Sequence, residues 1–281
     1  MAINSEEYEL EGASLLTLMK GEPGTAKTPS AVSYPEPYLI DLDGRASATV
    51  RYWKGKKKFH FDTLVNNYPL LCEKLDALIR YNPYQTVIID SITTLARSLH
   101  TLIFEARSSG AQVKRDKERI YINAAKIPGK FDGIPVLEID DYKTESTGII
   151  QILDAGRVLW NDGKGCNVIF IAHVIEVENK DLKNRIIRTR SIMTGGRKIA
   201  AEIPVYFNEA YHFCTGLSGG YKIITKNDGE DWAKTSLPLP TELDFTDKNF
   251  YELIDGYRKG EQNVQTESNE AEAGSSLVVG S

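Results

Sequence analysis

An α/β fold, with a mostly parallel central sheet flanked by helices and antiparallel strands toward its C-terminal end, is what this sequence predicts. Three observations carry that prediction. The apolar run Leu15-Leu16-Thr17-Leu18-Met19 ends in a turn, Gly21-Glu22-Pro23-Gly24-Thr25-Ala26-Lys27-Thr28, as a strand does when it feeds a helix. Two more runs, Thr86-Val87-Ile88-Ile89-Asp90 and Asn167-Val168-Ile169-Phe170-Ile171-Ala172, are apolar without alternation, the mark of strands buried on both faces of a parallel sheet. Near the end, residues 205–213 and Tyr221 to Lys226 are aromatic-rich and joined by Gly216-Leu217-Ser218-Gly219-Gly220, which reads as two strands and a glycine turn.

Composition sets the bounds. With 281 residues, 41% hydrophobic and 26% charged, the chain has enough apolar material for one large core. No apolar run approaches the roughly 18 residues of a membrane span. The first residues carry Glu6, Glu7, Glu9 and Glu11, unlike a signal peptide, so a cytoplasmic protein without membrane partners is expected. Cys72, Cys166 and Cys214 share no metal-ligand spacing and read as small apolar residues. The net charge of −5 is uneven: residues 261–281 hold four Glu and no Lys or Arg, leaving the rest near −1. Residues 1–13 read as an extension, 14–258 as one core, and 259–281 as a disordered acidic tail.

In chain order, the turn after the first strand has the residues of a phosphate-binding loop. Glycines let backbone N–H groups turn inward around phosphates, Lys27 reaches the β- and γ-phosphates, and the Thr28 hydroxyl takes Mg²⁺. Ala26 stands where that pattern has Gly, which a helical φ would tolerate. The plain alternative is a Gly/Pro turn before a short helix. Tyr38-Leu39-Ile40 reads as a second strand ending in Asp41-Leu42-Asp43-Gly44, placing two carboxylates at the edge where α/β sheets bind ligands. Residues 46–62, basic and aromatic around Lys54-Gly55-Lys56, look like a hairpin, either solvated or touching nucleic acid. Leu64, Leu71, Leu75, Leu78 and Ile79 have helical spacing between Thr63 and Tyr81.

Asp90 closes its strand beside the loop, where an acid holds the Mg²⁺ that Thr28 touches; otherwise it caps the helix Ile92 to Arg107. Ser91 follows it, so the water-orienting acid must lie elsewhere, and Asp43 is the best candidate. Residues 108–135 read as a charged excursion, part helix and part loop, and 140–160 as a helix. The strand 167–172 ends in His173, either a structural residue or one that senses the nucleotide. Between 180 and 198, Lys180, Lys183, Arg185, Arg188, Arg190, Arg197 and Lys198 face a single acid, Asp181. That excess suggests a loop that orders on a polyanion, with a solvated loop as the alternative. A short helix is expected from Phe250 to Tyr257.

Lys27-Thr28 in its loop, Ile40-Asp41-Leu42-Asp43, Val87-Ile88-Ile89-Asp90-Ser91, Ile169-Phe170-Ile171-Ala172-His173 and Thr194-Gly195-Gly196 occur in an order that resembles the RecA-like P-loop ATPase core. The chain is most similar to the short phage-encoded single-strand annealing (Sak-type) recombinases, over roughly residues 14–235. The resemblance implies ATP and Mg²⁺ as cofactors, bound by Gly21 to Thr28 and by Thr28 with Asp90. It also implies Asp43 in place of the catalytic Glu and His173 in place of the Gln that reports the γ-phosphate. By the same resemblance, residues 179–198 (with Lys183, Arg185, Arg188, Arg190, Arg197 and Lys198) form a DNA-binding loop, and Lys226 reaches a neighbour's ATP site. Asp43 is one methylene shorter than Glu, Ala26 replaces Gly, and no N-terminal helical domain precedes the core in this sequence. The expected function is ATP-dependent single-stranded DNA binding for recombination or annealing, in the host cytoplasm if phage-encoded. Its partners would be single-stranded DNA, further copies of the chain in a ring or filament, and a single-stranded-DNA-binding protein. A DNA-independent P-loop NTPase or kinase, and a non-hydrolysing nucleotide-binding adaptor, are the alternatives.

Overall fold

A computed structural model of the chain describes residues 13–108, 112–115, 120–123, 139–180, 186–216, 220–227, 229, 232–246 and 249–260. The expected α/β class is observed. In chain order the parallel strands are β1 (Leu16–Gly21), β2 (Pro37–Asp41), β3 (His60–Thr63), β4 (Thr86–Asp90), β7 (Asn167–Lys180) and β9 (Glu209–Thr215). They lie side by side as β3-β2-β4-β7-β1-β9, all parallel. β10 (Tyr221–Ile224) and β11 (Glu242–Phe245) extend the sheet antiparallel beyond β9.

Alternation within the buried runs divides the core in two. Val87 and Ile89 of β4, with Val168 and Phe170 of β7, pack on the face covered by α3 (Tyr68–Arg80), α4 (Ile92–Ser108) and α5 (Ile139–Trp160). Ile88, Ile169 and Ile171 pack on the other face, against α1 (Lys27–Val32), α2 (Ala46–Trp53) and α7 (Phe250–Arg258). Side chains of successive strand residues point to opposite faces, so a run apolar at every position needs helices on both sides.

Several expectations are corrected. Residues 46–62 are not a hairpin: they form α2 and then β3, which runs parallel to β2. Ala46, Thr49 and Trp53 sit at helical spacing and are buried, the Asp41 carboxylate accepts from the Ala46 N–H, and Lys54 and Gly55 at positive φ end the helix. α3 starts later than Thr63 because the Asn67 side chain caps the Leu70 N–H. Inside 108–135, β5 (Gln112–Arg115) and β6 (Ile120–Asn123) pair antiparallel; the remainder lies outside the described residues, apart from the end of α4 at Ser108. Residues 203–206 form a 3₁₀ turn, so the strand expected at 205–213 starts at Glu209. β11 was not anticipated, since Glu-Leu-Asp-Phe carries little β signal of its own. Of the cysteines, Cys166 is buried while Cys72 and Cys214 are half-buried, and all three are free. No helix among the described residues is long and apolar enough to cross a membrane. Residues 1–12 and 261–281 lie outside the described residues, and with them most of the expected extension and tail.

Candidate active site

Strand register places the site. Gly21 pairs with His173, Asp41 with Asp90, and Asp90 with Ile171 across neighbouring strands, so the carboxyl ends of β1, β7, β4 and β2 form one rim. The predicted phosphate-loop residues, the two aspartates and His173 are brought together there. They surround a cavity of about 310 Å³ lined by Pro23 to Pro29, Asp43, Asp90 and His173.

The loop is built from its ends inward. A Cβ on Gly21 would fall 2.2 Å from the Phe213 carbonyl oxygen, so close packing against β9 demands glycine there. Ala26 departs from expectation: its φ of 62° is left-handed, not helical. Lys27, only 4% exposed, turns its ammonium into the loop and donates to the carbonyls of Gly21 at 2.9 Å and Glu22 at 2.6 Å. Burial lowers its pKa to about 8, opposed by Asp90 and Asp43.

Thr28 and Asp90 converge as expected. The Thr28 hydroxyl donates to Asp90 Oδ2 at 2.7 Å. Burial, then the neighbouring Asp43, raises the Asp90 carboxyl to about 6. Two hard oxygen donors at touching distance fit Mg²⁺, which takes few protein ligands and fills its shell with phosphate oxygens and water. Among the described residues there is no group of three or more His, Cys, Asp or Glu side chains that could hold a metal ion.

Asp43 lies beside the metal pair and is held from three sides. Ser91 donates at 3.1 Å, the Thr94 hydroxyl makes a second hydrogen bond, and His173 Nε2 stands 3.6 Å away. Burial alone would raise this carboxyl, but His173, Thr94 and Ser91 outweigh it and hold it at about 2. His173 is therefore a neighbour of Asp43, and its Nδ1 is buried with no partner among the described residues. The strand does not end there: β7 continues to Lys180 and folds back on β8 (Ile186–Ile192). The Asp90–Ser91 peptide is cis.

Where it is described, the basic stretch is paired strand and helix and not an open loop: residue 180 ends β7, residues 186–192 are β8, and residues 197–198 begin α6 (Arg197–Glu202). Lys183 and Arg185 lie outside the described residues, and of Arg188 only the backbone is described. Arg190 is half-buried, whereas Arg197 and Lys198 are exposed at the start of α6, with Lys198 3.6 Å from Glu202. Glu176 lies opposite Arg190 and Glu178 opposite Arg188 in the hairpin register, a cross-strand charge pattern that the linear sequence concealed. Lys226 is exposed after β10 and does not line the cavity of its own chain.

Some site residues escaped the sequence reading. Thr49 and Tyr52 line the cavity from α2, Arg45 from the position just before it, and Tyr221 from β10. The spacing of Ala46, Thr49 and Trp53 was the available signal, masked by the Lys-Gly-Lys turn. Glu145, fully buried on α5, accepts from the Gly195 N–H at 2.8 Å and meets His100 at 3.1 Å, tying Thr194-Gly195-Gly196 to α4 and α5. Nothing local in the sequence marks that contact.

No family model matches the chain, and no curated protein matches it. Among solved structures it is similar to a KaiC-like protein from the hyperthermophilic archaeon Pyrococcus horikoshii OT3, at 12% identity over 84% of this chain and 90% of that one, with a TM-score of 0.39.

Proposed function

We propose that the chain is a Mg²⁺-dependent ATPase of the RecA-like P-loop kind that couples nucleotide to single-stranded DNA in recombination or annealing, as an oligomer. The observation that carries the ATPase reading is the meeting of Thr28 and Asp90 at 2.7 Å beside the loop lysine, from segments 62 residues apart. Backbone amides of residues 22–28 and the Lys27 ammonium hold the phosphates. Mg²⁺, held by Thr28 and Asp90, would neutralise phosphate charge.

Asp43 accepts a hydrogen bond from the attacking water and aims it at the γ-phosphorus. A carboxyl held near 2 is ionised at neutral pH and too weak a base to keep the proton, which leaves on a phosphoryl oxygen. Seryl, threonyl and imidazole contacts keep that carboxylate oriented, which is where the rate advantage of such a site lies.

The DNA reading is supported by the place of the basic hairpin. β7 passes through the rim at His173 and carries its continuation out to the arginines of β8, so nucleotide and hairpin share one strand. A second reading, a P-loop enzyme indifferent to DNA, is favoured by Glu176 and Glu178 opposite the arginines, which offset charge meant for a polyanion. Phosphate release with and without single-stranded DNA separates the two, measured on the natural sequence, Lys27→Ala and Asp43→Ala. Turnover that DNA stimulates, and that both substitutions abolish, is expected. Turnover unchanged by DNA defeats the recombination reading, and turnover that survives Lys27→Ala defeats the site.

A further inference from the structure

Arg45 has no role in the arrangement described so far. It follows Asp43 by two residues, is exposed, lines the same cavity as Lys27, Thr28, Asp43 and Asp90, and its guanidinium has no hydrogen-bond or ion-pair partner among the described residues. Its backbone, in contrast, is pinned on both sides. Asp43 is held by Ser91, Thr94 and His173, and the next amide, Ala46 N–H, donates to Asp41 Oδ2 at 2.7 Å. The side chain is therefore exposed to water but launched from a fixed point on the rim.

Charge gives that placement a purpose. Apart from Arg45, the cavity is lined by one basic side chain, Lys27, and two carboxylates, Asp43 and Asp90, so Arg45 is the second cation the chain itself can offer to charge that grows during phosphoryl transfer. Lys27 supplies one ammonium to the phosphates, and Lys226 does not line the cavity of its own chain. Resting on the ATPase reading above, we propose that Arg45 is a catalytic residue of this site: a guanidinium supplied by the same chain that binds the γ-phosphate and stabilises its transfer. As the water oxygen bonds to the γ-phosphorus and the bond to the β–γ bridging oxygen breaks, negative charge grows on that bridge and on the γ-oxygens. A planar guanidinium donates two parallel N–H groups to such oxygens, which an ammonium does not. Hydrolysis then needs no side chain from a neighbouring copy.

The test uses the full chain. Phosphate release (kcat and KM, at several protein concentrations), binding of a fluorescent ATP analogue, and thermal midpoint are compared for the natural sequence, Arg45→Ala and Arg45→Lys. Arg45→Ala is expected to lower kcat roughly a thousandfold, as loss of such an arginine does elsewhere. Analogue affinity should fall far less, and the midpoint should hold because the side chain is exposed. Arg45→Lys should recover only part of the rate, and the natural sequence should show a rate per chain independent of protein concentration. Turnover kept within threefold in Arg45→Ala, or a rate per chain that rises with protein concentration, overturns the assignment while leaving the ATPase reading intact. A natural chain that binds the analogue yet releases no phosphate under any condition overturns the ATPase reading itself, and Arg45 with it.

Discussion

Asp90 is a buried carboxylate, 7% exposed, whose pKa stands at about 6 instead of 3.8, chiefly through burial and then through Asp43. An acid whose folded pKa is raised favours folding in its protonated form. The stability it allows is complete below 3.8 and is lost as pH rises through 6. The shift, about two pKa units at 1.36 kcal/mol each, amounts to about 3 kcal/mol between pH 4 and pH 7. Asp43 shifts the other way, toward 2, so its contribution changes only below this window. Lys27, at about 8, stays charged throughout it. Asp90→Asn keeps the shape and removes the titration. Urea denaturation in chelator at pH 4 to 7 should therefore show the gap between Asp90→Asn and the natural sequence widening by about 3 kcal/mol in favour of Asn. Mg²⁺ with ATP should close it in the natural sequence alone. A gap that stays flat with pH would refute the claim that Asp90 is desolvated when ionised.

Three other outcomes follow from the geometry. Ala26→Gly relieves a left-handed alanine at φ 62° and should stabilise the chain by about 0.5 to 1 kcal/mol in denaturant, after the extra chain entropy of glycine is subtracted; a loss of stability contradicts the loop conformation. Gly156→Ala would ordinarily favour a helix, but its Cβ would lie 2.6 Å from the buried Phe170 ring, so a loss of about 1 to 3 kcal/mol and a lower thermal midpoint are expected. Replacing Arg185, Arg188 and Arg190 together with Ala should weaken single-stranded DNA binding and flatten its dependence on salt; an unchanged salt slope removes the hairpin from the DNA interface.

Local chemistry in the sequence was enough for the sheet's inner strands and for most of the residues that line the candidate site. Continuous β-branched runs can be buried only between two layers, and a strand that ends in Asp90 beside a loop carrying Lys27 and Thr28 has one economical arrangement. Residues 46–62 misled because a Lys-Gly-Lys turn is a local signal for a hairpin, while the helix there depends on the Asp41 carboxylate and on burial of Trp53, both set by distant packing. The hairpin of β7 and β8 was likewise hidden, since opposing Glu176 to Arg190 requires a register that only pairing supplies.

What the sequence alone determined is which side chains the site has to work with; which of them meet was decided by the tertiary structure. The partnership of Asp43 with His173, 130 positions along, the clasp of Gly195 by Glu145, and the entry of Arg45 into the cavity all depend on how parallel strands align at one rim. Strand register is a property of the assembled sheet, fixed by the burial of whole faces at once, and no short stretch of chain encodes it.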